Sequence, residues 1–299
     1  MEYLFSKAKS ESLVVTTRYN RLSSSIRCFG SPPGKEKVSG LGQTPFSYVK
    51  WSLDCVTEQG DAVVLYCAEL RWGRIQLVYS NILAVNGQQV AGTSTLARFS
   101  LSSRRDQVCV EIPRLEISGR WESLAAPFER TLYKNSDGSA IWDCVQPKSF
   151  VHVRAMGKEY VGLGYVERLT MTLPPWALPM CQLGRGHFVS AKDSLVWFDW
   201  QGEFSSRFAL FNGVVCDPLS VSTAEIVLPA ATLNMKEGLT LRTGSIGESI
   251  LPGAPTIGKL LPAKIFAVKQ HFSRNEGVLT DPFHSSAGWA FQEELDFSA

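Results

Sequence analysis

The sequence predicts an all-β protein made of two successive antiparallel barrel or sandwich units. Three observations carry that prediction: apolar and polar side chains alternate with a period of two, turn residues recur about every eight to twelve positions, and prolines interrupt the rhythm near the middle. The alternation begins at about residue 48. It runs through "DAVVLYCAEL" (61–70), "RIQLVYSNILAV" (74–85), "STLARFSLS" (94–102) and "QVCVEIPRLEIS" (107–118), separated by the turn signals "EQGD", "VNGQQ" and "SSRRD". "RWESL" (120–124) and "FERTLYKNSDGSAIWDCV" (128–145) continue it, with "NSDG" as a hairpin turn, and "KSFVHVRAMGKEYVGLGYVERL" reads as two strands joined across "AMGK". Pro174, Pro175 and Pro179 break the pattern, after which strands resume in "GHFVSAKDSLVWFDWQGEFSSRFALFNGVV", "STAEIVLP", "ATLNM", "LTLRTGSIG", "AKIFAVKQHFSR" and "GWAFQEELDF". A boundary near 172–182 follows, dividing the chain into an N-terminal arm (1–44), a first β unit (45–176) and a second (177–299). No internal repeat is obvious.

Composition narrows the function. The 299 residues can bury a large core, and a net charge of +2 gives no reason to expect nucleic-acid or anionic-membrane binding. With 16 Phe, 8 Tyr and 8 Trp against 19% charged residues, an apolar interior with a ligand cavity is expected. No apolar run reaches the length of a membrane span. The seven scattered cysteines form no CxxC and read as reduced residues of a cytoplasmic protein. The Ser-rich residues 1–40 read as a docked arm rather than a targeting segment. GxGxxG, P-loop, GxSxG and zinc-ligand spacings are missing, and none of the four histidines lies two to five residues from another, so neither a cofactor nor a metal is expected.

The stretch "EYVGLGYVERLTMTLPPWALP" (159–179) holds the main candidates. Tyr165 and Glu167 are two residues apart and share one face of a strand. A carboxyl among aromatics is expected to have a raised pKa and to act as a proton donor. Tyr165 would orient it or bond a developing oxyanion, and Trp142 would offer a π face to positive charge. Arg168 is the local alternative partner for Glu167. Gly162 and Gly164 would allow close approach of a ligand or a strand, and Trp176 in the stiff "LPPWALP" segment would be a lid or wall. Further candidate substrate contacts are His187, Trp197, Trp200, Arg71 and Trp72. His187 is a second acid or base, or a structural histidine. In "SLVWFDWQGEF", Leu195, Trp197 and Asp199 share one face, and Val196, Phe198 and Trp200 the other, for core packing or cavity lining. Arg71 and Arg74 around Trp72 would hold a polar group or make a cation–π contact. Asp143 points away from Trp142, and Asp54 and Glu69 read as hydrogen-bonded structural acids.

Trp142, Pro147, Gly164, Tyr165 and Glu167, within "IWDCVQPKSFVHVRAMGKEYVGLGYVERL", resemble the motif of the carotenoid 1,2-hydratase (hydroxyneurosporene synthase) family: a tryptophan five residues before a proline, a strand, then Gly-Tyr-x-acid. Family members are two-domain lipocalin-like proteins, an architecture shared by fungal lipocalin-like Diels–Alderases. The chain departs from the pattern at Glu167, where the family has Asp, at Ile141, where it often has His, at "RLTMTLPPW" in place of Asn-Trp-Gly, and at Arg185 in place of an aromatic. The resemblance implies two lipocalin-like units and a cofactor-independent, intracellular enzyme of specialised metabolism. Its substrate would be a largely apolar isoprenoid or polyketide-type molecule, taken through acid-triggered or conformationally templated cyclisation, isomerisation or hydration. The alternative is a non-catalytic β-barrel carrier of a hydrophobic ligand.

Overall fold

The alternating segments become strands of two antiparallel sheets in the computed structural model, which describes residues 46–104, 106–250 and 266–298. The arm expected over 1–44 lies outside the described residues. The first sheet comprises β1 (Phe46–Val56), β2 (Ala62–Trp72), β3 (Ile75–Asn86), β4 (Gln89–Thr95), β5 (Ser100–Ser103), β6 (Gln107–Ile112), β7 (Ile117–Ser123), β8 (Phe128–Asn135), β9 (Gly138–Ala155) and β10 (Lys158–Met171). The second comprises β11 (Met180–Ser190), β12 (Ser194–Gly202), β13 (Ser206–Phe211), β14 (Val214–Cys216), β15 (Ser220–Val221), β16 (Glu225–Val227), β17 (Thr232–Met235), β18 (Leu239–Ser245), β19 (Lys269–Thr280) and β20 (Ser285–Asp296). A single 3₁₀ turn, Pro175–Ala177, connects them. No helix among the described residues is long and apolar enough to cross a membrane.

The sheets are topological copies. The first is ordered β4-β3-β2-β1-β10-β9-β7-β6-β5 with β8 also on β9; the second is β14-β13-β12-β11-β20-β19-β17-β16-β15 with β18 also on β19. Adding ten to every strand number converts one into the other, so the fold contains a repeat that no sequence similarity betrays. Each sheet curls into a half-barrel.

Two kinds of core follow from the alternation. Odd-numbered residues of β1 and β2 (Trp51, Leu53, Cys55, Val63, Leu65) pack inside the first half-barrel around Trp121 and Tyr160, which are fully buried. Phe188, Leu195, Trp197 and Leu233 fill the second half-barrel. The even-numbered residues Val56, Ala62, Val64 and Tyr66 instead meet Val189, Leu241, Phe272 and Phe291 of the second sheet. The central strands are therefore buried on both faces, which is why they read as nearly continuous apolar runs.

Local chemistry explains the irregularities. Asn135 Oδ1 accepts the N–H groups of Asp137 (2.9 Å) and Gly138 (3.1 Å), closing the "NSDG" hairpin between β8 and β9. Met156 and Gly157 adopt positive φ at the β9–β10 turn. "STLARFSLS" is not one strand: Thr95 Oγ1 accepts the N–H of Ala97 (3.0 Å), which turns the chain between β4 and β5. β9 pairs with β8 up to Cys144 and with β7 from Ser149, and its register against β10 slips in between, at the residues around Pro147. A proline has no N–H to give a ladder and suits such a bulge.

Gly162 and Gly164 admit a strand and not a ligand: a Cβ on Gly164 would stand 2.1 Å from the carbonyl oxygen of Asp54, and one on Gly162 would stand 2.0 Å from that of Val56. The same Asp54 carbonyl accepts the indole N–H of Trp121 at 2.6 Å. Gly164→Ala is expected to lower stability by about 1–3 kcal/mol through overpacking, whereas Val161→Ala, at a 43% exposed site on the same strand, should change it by less than about 0.5 kcal/mol. Urea unfolding of the two variants provides the check.

Candidate functional site

Where the outer faces of the half-barrels meet they do not close completely. Trp142, Tyr165 and Glu167 of the first sheet line one cavity there with Arg185, His187, Phe291 and Glu293 of the second; Ser52, Asp54, Val64, Tyr66, Gly186, Val196, Trp197, Phe198 and Phe272 complete it. The cavity volume is about 40 Å³.

The register shows how the site is assembled. Ser52 of β1 lies opposite Glu167 of β10, and Arg185 of β11 lies opposite Glu293 of β20. Glu167 and Glu293 therefore occupy equivalent places in the two sheets, as do Ser52 and Arg185. Two residues further on, Asp54 is the equivalent of His187; Tyr165 is the equivalent of Phe291, and Tyr66 of Phe198. Leu169 faces Trp142 and Leu295 faces Gln270, so these two donors also correspond. The cavity lies where matching positions of the two copies face each other, an arrangement of the kind seen across a two-fold interface.

Its charged floor is centred on Arg185. The guanidinium pairs with Glu167 through Nη1 and with Glu293 through Nη2, and its Nε–H donates to Glu293 Oε2 at 2.6 Å. Trp142 Nε1–H donates to Glu167 Oε2 at 2.8 Å and Tyr165 Oη–H to the same oxygen at 3.0 Å. Gln270 donates to Glu293 Oε1. Burial alone would raise the Glu167 pKa, but the charges of Arg185 and Lys50 and the bond from Trp142 outweigh it and hold the carboxyl at about 2. Glu293 is likewise lowered against the effect of burial, by Arg185 and Lys50. The raised pKa expected from the sequence is reversed: the surroundings of Glu167 favour its carboxylate form. Its cation comes from Arg185 across the interface. Arg168 bonds Asp143 instead, at 2.6 Å.

The protonatable acid is Asp54, expected to be merely structural. It is 4% exposed. Burial raises its pKa, a shift opposed in part by His187 and by the N–H of Tyr165. Asp54 Oδ2 lies 3.1 Å from His187 Nε2. The imidazole stacks on Tyr165 (centroids 4.2 Å, 13°) and on Phe291 (5.3 Å, 21°), which sets the ring plane so that Nε2 is near the carboxylate without an aligned hydrogen bond. His187 Nε2, Asp54 Oδ1, Ser52 Oγ and Trp197 Nε1 are buried polar atoms without a hydrogen-bond partner in the protein. All four residues line the cavity, and buried polar groups ordinarily find partners.

The other candidates lie elsewhere. Trp176 packs edge-on against Trp72 (5.2 Å) and Phe46 (5.9 Å), so these aromatics seal the connector to the edges of β1 and β2 and do not cover the cavity. Arg71 is exposed, on the strand flank opposite Ser47 and Gln76. Trp200 is buried in the contact between sheets, beyond the lining residues. Glu293, Gln270, Lys50, Ser52 and Tyr66 escaped sequence reasoning. Their one signal is polarity inside strands whose neighbouring residues are largely apolar. Among the described residues, no group of three His, Cys, Asp or Glu side chains stands ready to hold a metal.

Removing Arg185 would leave two buried carboxylates unpaired. Arg185→Leu is expected to cost about 3–5 kcal/mol at pH 7. The sign of the pH effect should also invert. In the wild type, Glu167 ionises below its unfolded value, so its stabilisation is complete above pH about 4.5 and fades towards pH about 2. In the variant, burial is opposed only by Lys50 and the remaining hydrogen bonds, so both glutamate pKa values rise and acidification from pH 7 to 5 should stabilise the fold. Denaturation at the two pH values, with Glu167→Gln/Glu293→Gln added as the rescuing pair, measures both effects.

No family model matches the sequence, and no curated protein matches it. Solved structures do. The AttH protein of Nitrosomonas europaea aligns over 88% of this chain and 98% of its own, at 8% identity and TM-score 0.53. CghA, solved with Sch210972, aligns over 84% and 88%, at 10% identity and TM-score 0.55. Kievitone hydratase from Nectria haematococca aligns over 87% and 93%, at 9% identity and TM-score 0.50. At such identities the likeness is one of fold: the chain has the two-unit lipocalin-like architecture of these proteins.

Proposed function

We propose that the chain is a cofactor-independent enzyme that converts a largely apolar small molecule in the cavity between its two units, using the Asp54–His187 pair as general acid and base. The observation that carries this is the pair itself: a buried carboxyl pushed towards its protonated form, beside an imidazole, in two residues that both line the cavity. Titratable neighbours whose environments drive their pKa values apart mark acid and base roles. Glu167 and Asp54 are such neighbours.

The chemistry follows from the donor and its surroundings. The pair gives its proton to an alkene carbon, and the electron deficit falls on the adjacent carbon. Tyr165, Phe291 and Trp142 present aromatic rings there, and Glu167 and Glu293 present fixed negative charge. Loss of a neighbouring proton to the pair completes an isomerisation, and attack by an internal double bond or hydroxyl, followed by loss of a proton to the pair, completes a cyclisation. Water uptake, with the surplus proton returned to the pair, completes a hydration. The name of kievitone hydratase and the Sch210972 held by CghA support a small organic substrate, while a polyketide or isoprenoid skeleton and a place in specialised metabolism remain part of the proposal. A carrier would need no acid at its ligand.

Incubation in deuterated water of the purified protein with linear isoprenoids, polyene ketides and prenylated aromatics, kievitone among them, is expected to give an isomeric or hydrated product labelled at carbon. Asp54→Asn should lower turnover about 10²–10⁴-fold with ligand affinity retained. Glu167→Gln, which keeps the donor pair, should lose less. Binding of panel members by the wild type without conversion would favour the carrier, and wild-type turnover by Asp54→Asn would remove the pair from the chemistry.

A further inference from the structure

Two cations that the acid–base pair does not use pack against Tyr66, at one end of the cavity. Lys50, Ser52 and Asp54 follow one another on the interface-facing side of β1, and Ser52 lies opposite Tyr66, which in turn lies opposite Asn81 of β3. Lys50 Nζ stands 4.6 Å from the centroid of the Tyr66 ring. From the second sheet, Arg242 on β18 brings its guanidinium to 5.5 Å from the same ring. Tyr66 itself lines the cavity.

Neither cation has a carboxylate partner within ion-pair distance among the described residues. The glutamates that would serve, Glu167 and Glu293, are both committed to Arg185. Arg242 donates to a neutral amide oxygen, Asn81 Oδ1, at 2.6 Å, which engages one of its five N–H donors. Lys50 has its contact with the ring and, without an ion pair, the charges of Glu167 and Glu293 that it shares with Arg185. With Glu167 and Glu293 each negative, and Arg185, Lys50 and Arg242 each positive, the charged groups around Tyr66 carry a net excess of one positive charge. The strain is felt: burial, Arg185 and Arg242 all act to lower the Lys50 pKa, and it stands at about 8. Beside these cations, Ser52 Oγ is a further buried polar atom lacking a partner.

The wall opposite differs in kind. Positions equivalent to Tyr66 and Tyr165 are Phe198 and Phe291, and Phe272 stands beside them. One side of the cavity thus carries the hydroxyls of Ser52 and Tyr66, with Lys50 and Arg242 packed against that tyrosine and neither held in an ion pair, while the other carries plain aromatic rings. We infer that the Tyr66 end is a subsite for a singly charged oxyanion, a carboxylate or an enolate, held by Lys50 and Arg242 with Ser52, so that the ligand is an apolar molecule with one acidic head. This assignment rests on the cavity being the ligand site proposed above and adds the polarity of the ligand and its orientation: head towards Tyr66, apolar body along Phe198, Phe272 and Phe291, reacting carbon beside Asp54.

The test uses 2-naphthoate and its methyl ester, which share an apolar body and differ by the charge, titrated calorimetrically into the full-length protein at pH 7. The acid is expected to bind at least tenfold more tightly than the ester. Lys50→Met should bring the acid to the affinity of the ester and leave the ester unchanged, and Lys50→Arg should restore most of the preference. Thermal unfolding of both variants reports that each is folded, and Arg242→Gln provides a second route to the same loss. Equal binding of acid and ester by the wild type, or an undiminished preference in Lys50→Met, would overturn the subsite and leave the acid–base pair untouched. Binding of neither compound would overturn the subsite together with the cavity on which it rests.

Discussion

One buried arginine ties the two halves of the molecule together chemically. Arg185 belongs to the second sheet, yet half of its charge is neutralised by Glu167 of the first. An ion taken out of water loses several kcal/mol of solvation, recovered only when partners are well placed on every side. The guanidinium meets that condition only if both sheets are formed, curled and docked in register. Docking the half-barrels therefore creates the site, and neither half-barrel contains it alone. The cluster is also a constraint on the chemistry, because once Arg185 has fixed Glu167 and Glu293 as anions, neither is available to give a proton near neutral pH.

The duplicated topology explains how so polar a group came to lie in so apolar an interface. When two copies of one sheet face each other through the same surface, equivalent positions meet near the axis between them. Asp54 meets His187, and Glu167 and Glu293 converge on one cation. Trp142 and Gln270 support their glutamates from matching places. Such symmetry by itself would juxtapose like charges. The sequence avoids this by making the copies unequal where it counts: Asp54 against histidine, Ser52 against arginine, Tyr165 against phenylalanine. The differences between the copies set the function, and what they share sets the frame.

How much of this was legible in the chain depended on the range of the interaction. Period-two alternation, "NSDG", "AMGK" and the prolines at 174–179 act over a few residues, so the strands, hairpins and division into two units could be read directly. Tyr165 and Glu167 share a face because a strand alternates, and this too was legible. The identity of the partner of Glu167 was not: Arg185 lies 18 residues along the chain in the other sheet, and Arg168 is the only cation that local spacing offers. The expected rise of the Glu167 pKa failed for the same reason, since burial was foreseeable from the aromatic neighbours and the cation was not. Trp176 was misplaced because a stiff segment after a site says nothing of which edge it folds against. The repeat was invisible because topology is conserved by alternation and turn placement, which many sequences satisfy.

The exchange of roles between Glu167 and Asp54 follows from where cations can reach. Both carboxyls are buried, on the same side of neighbouring strands, and burial pushes both towards the neutral form. Glu167 is long enough to meet the Arg185 guanidinium while its other oxygen accepts from Trp142 and Tyr165, so both oxygens are answered by donors and the anion is favoured. Asp54 is shorter and sits one step nearer the stacked rings of Tyr165, His187 and Phe291, where the only nearby base is an imidazole and Oδ1 has no donor. A carboxyl with one oxygen left without a donor keeps its proton more readily than one whose two oxygens meet three donors. On the proposed reading, the more strongly hydrogen-bonded of the two acids is the structural one and the less satisfied one is the proton donor.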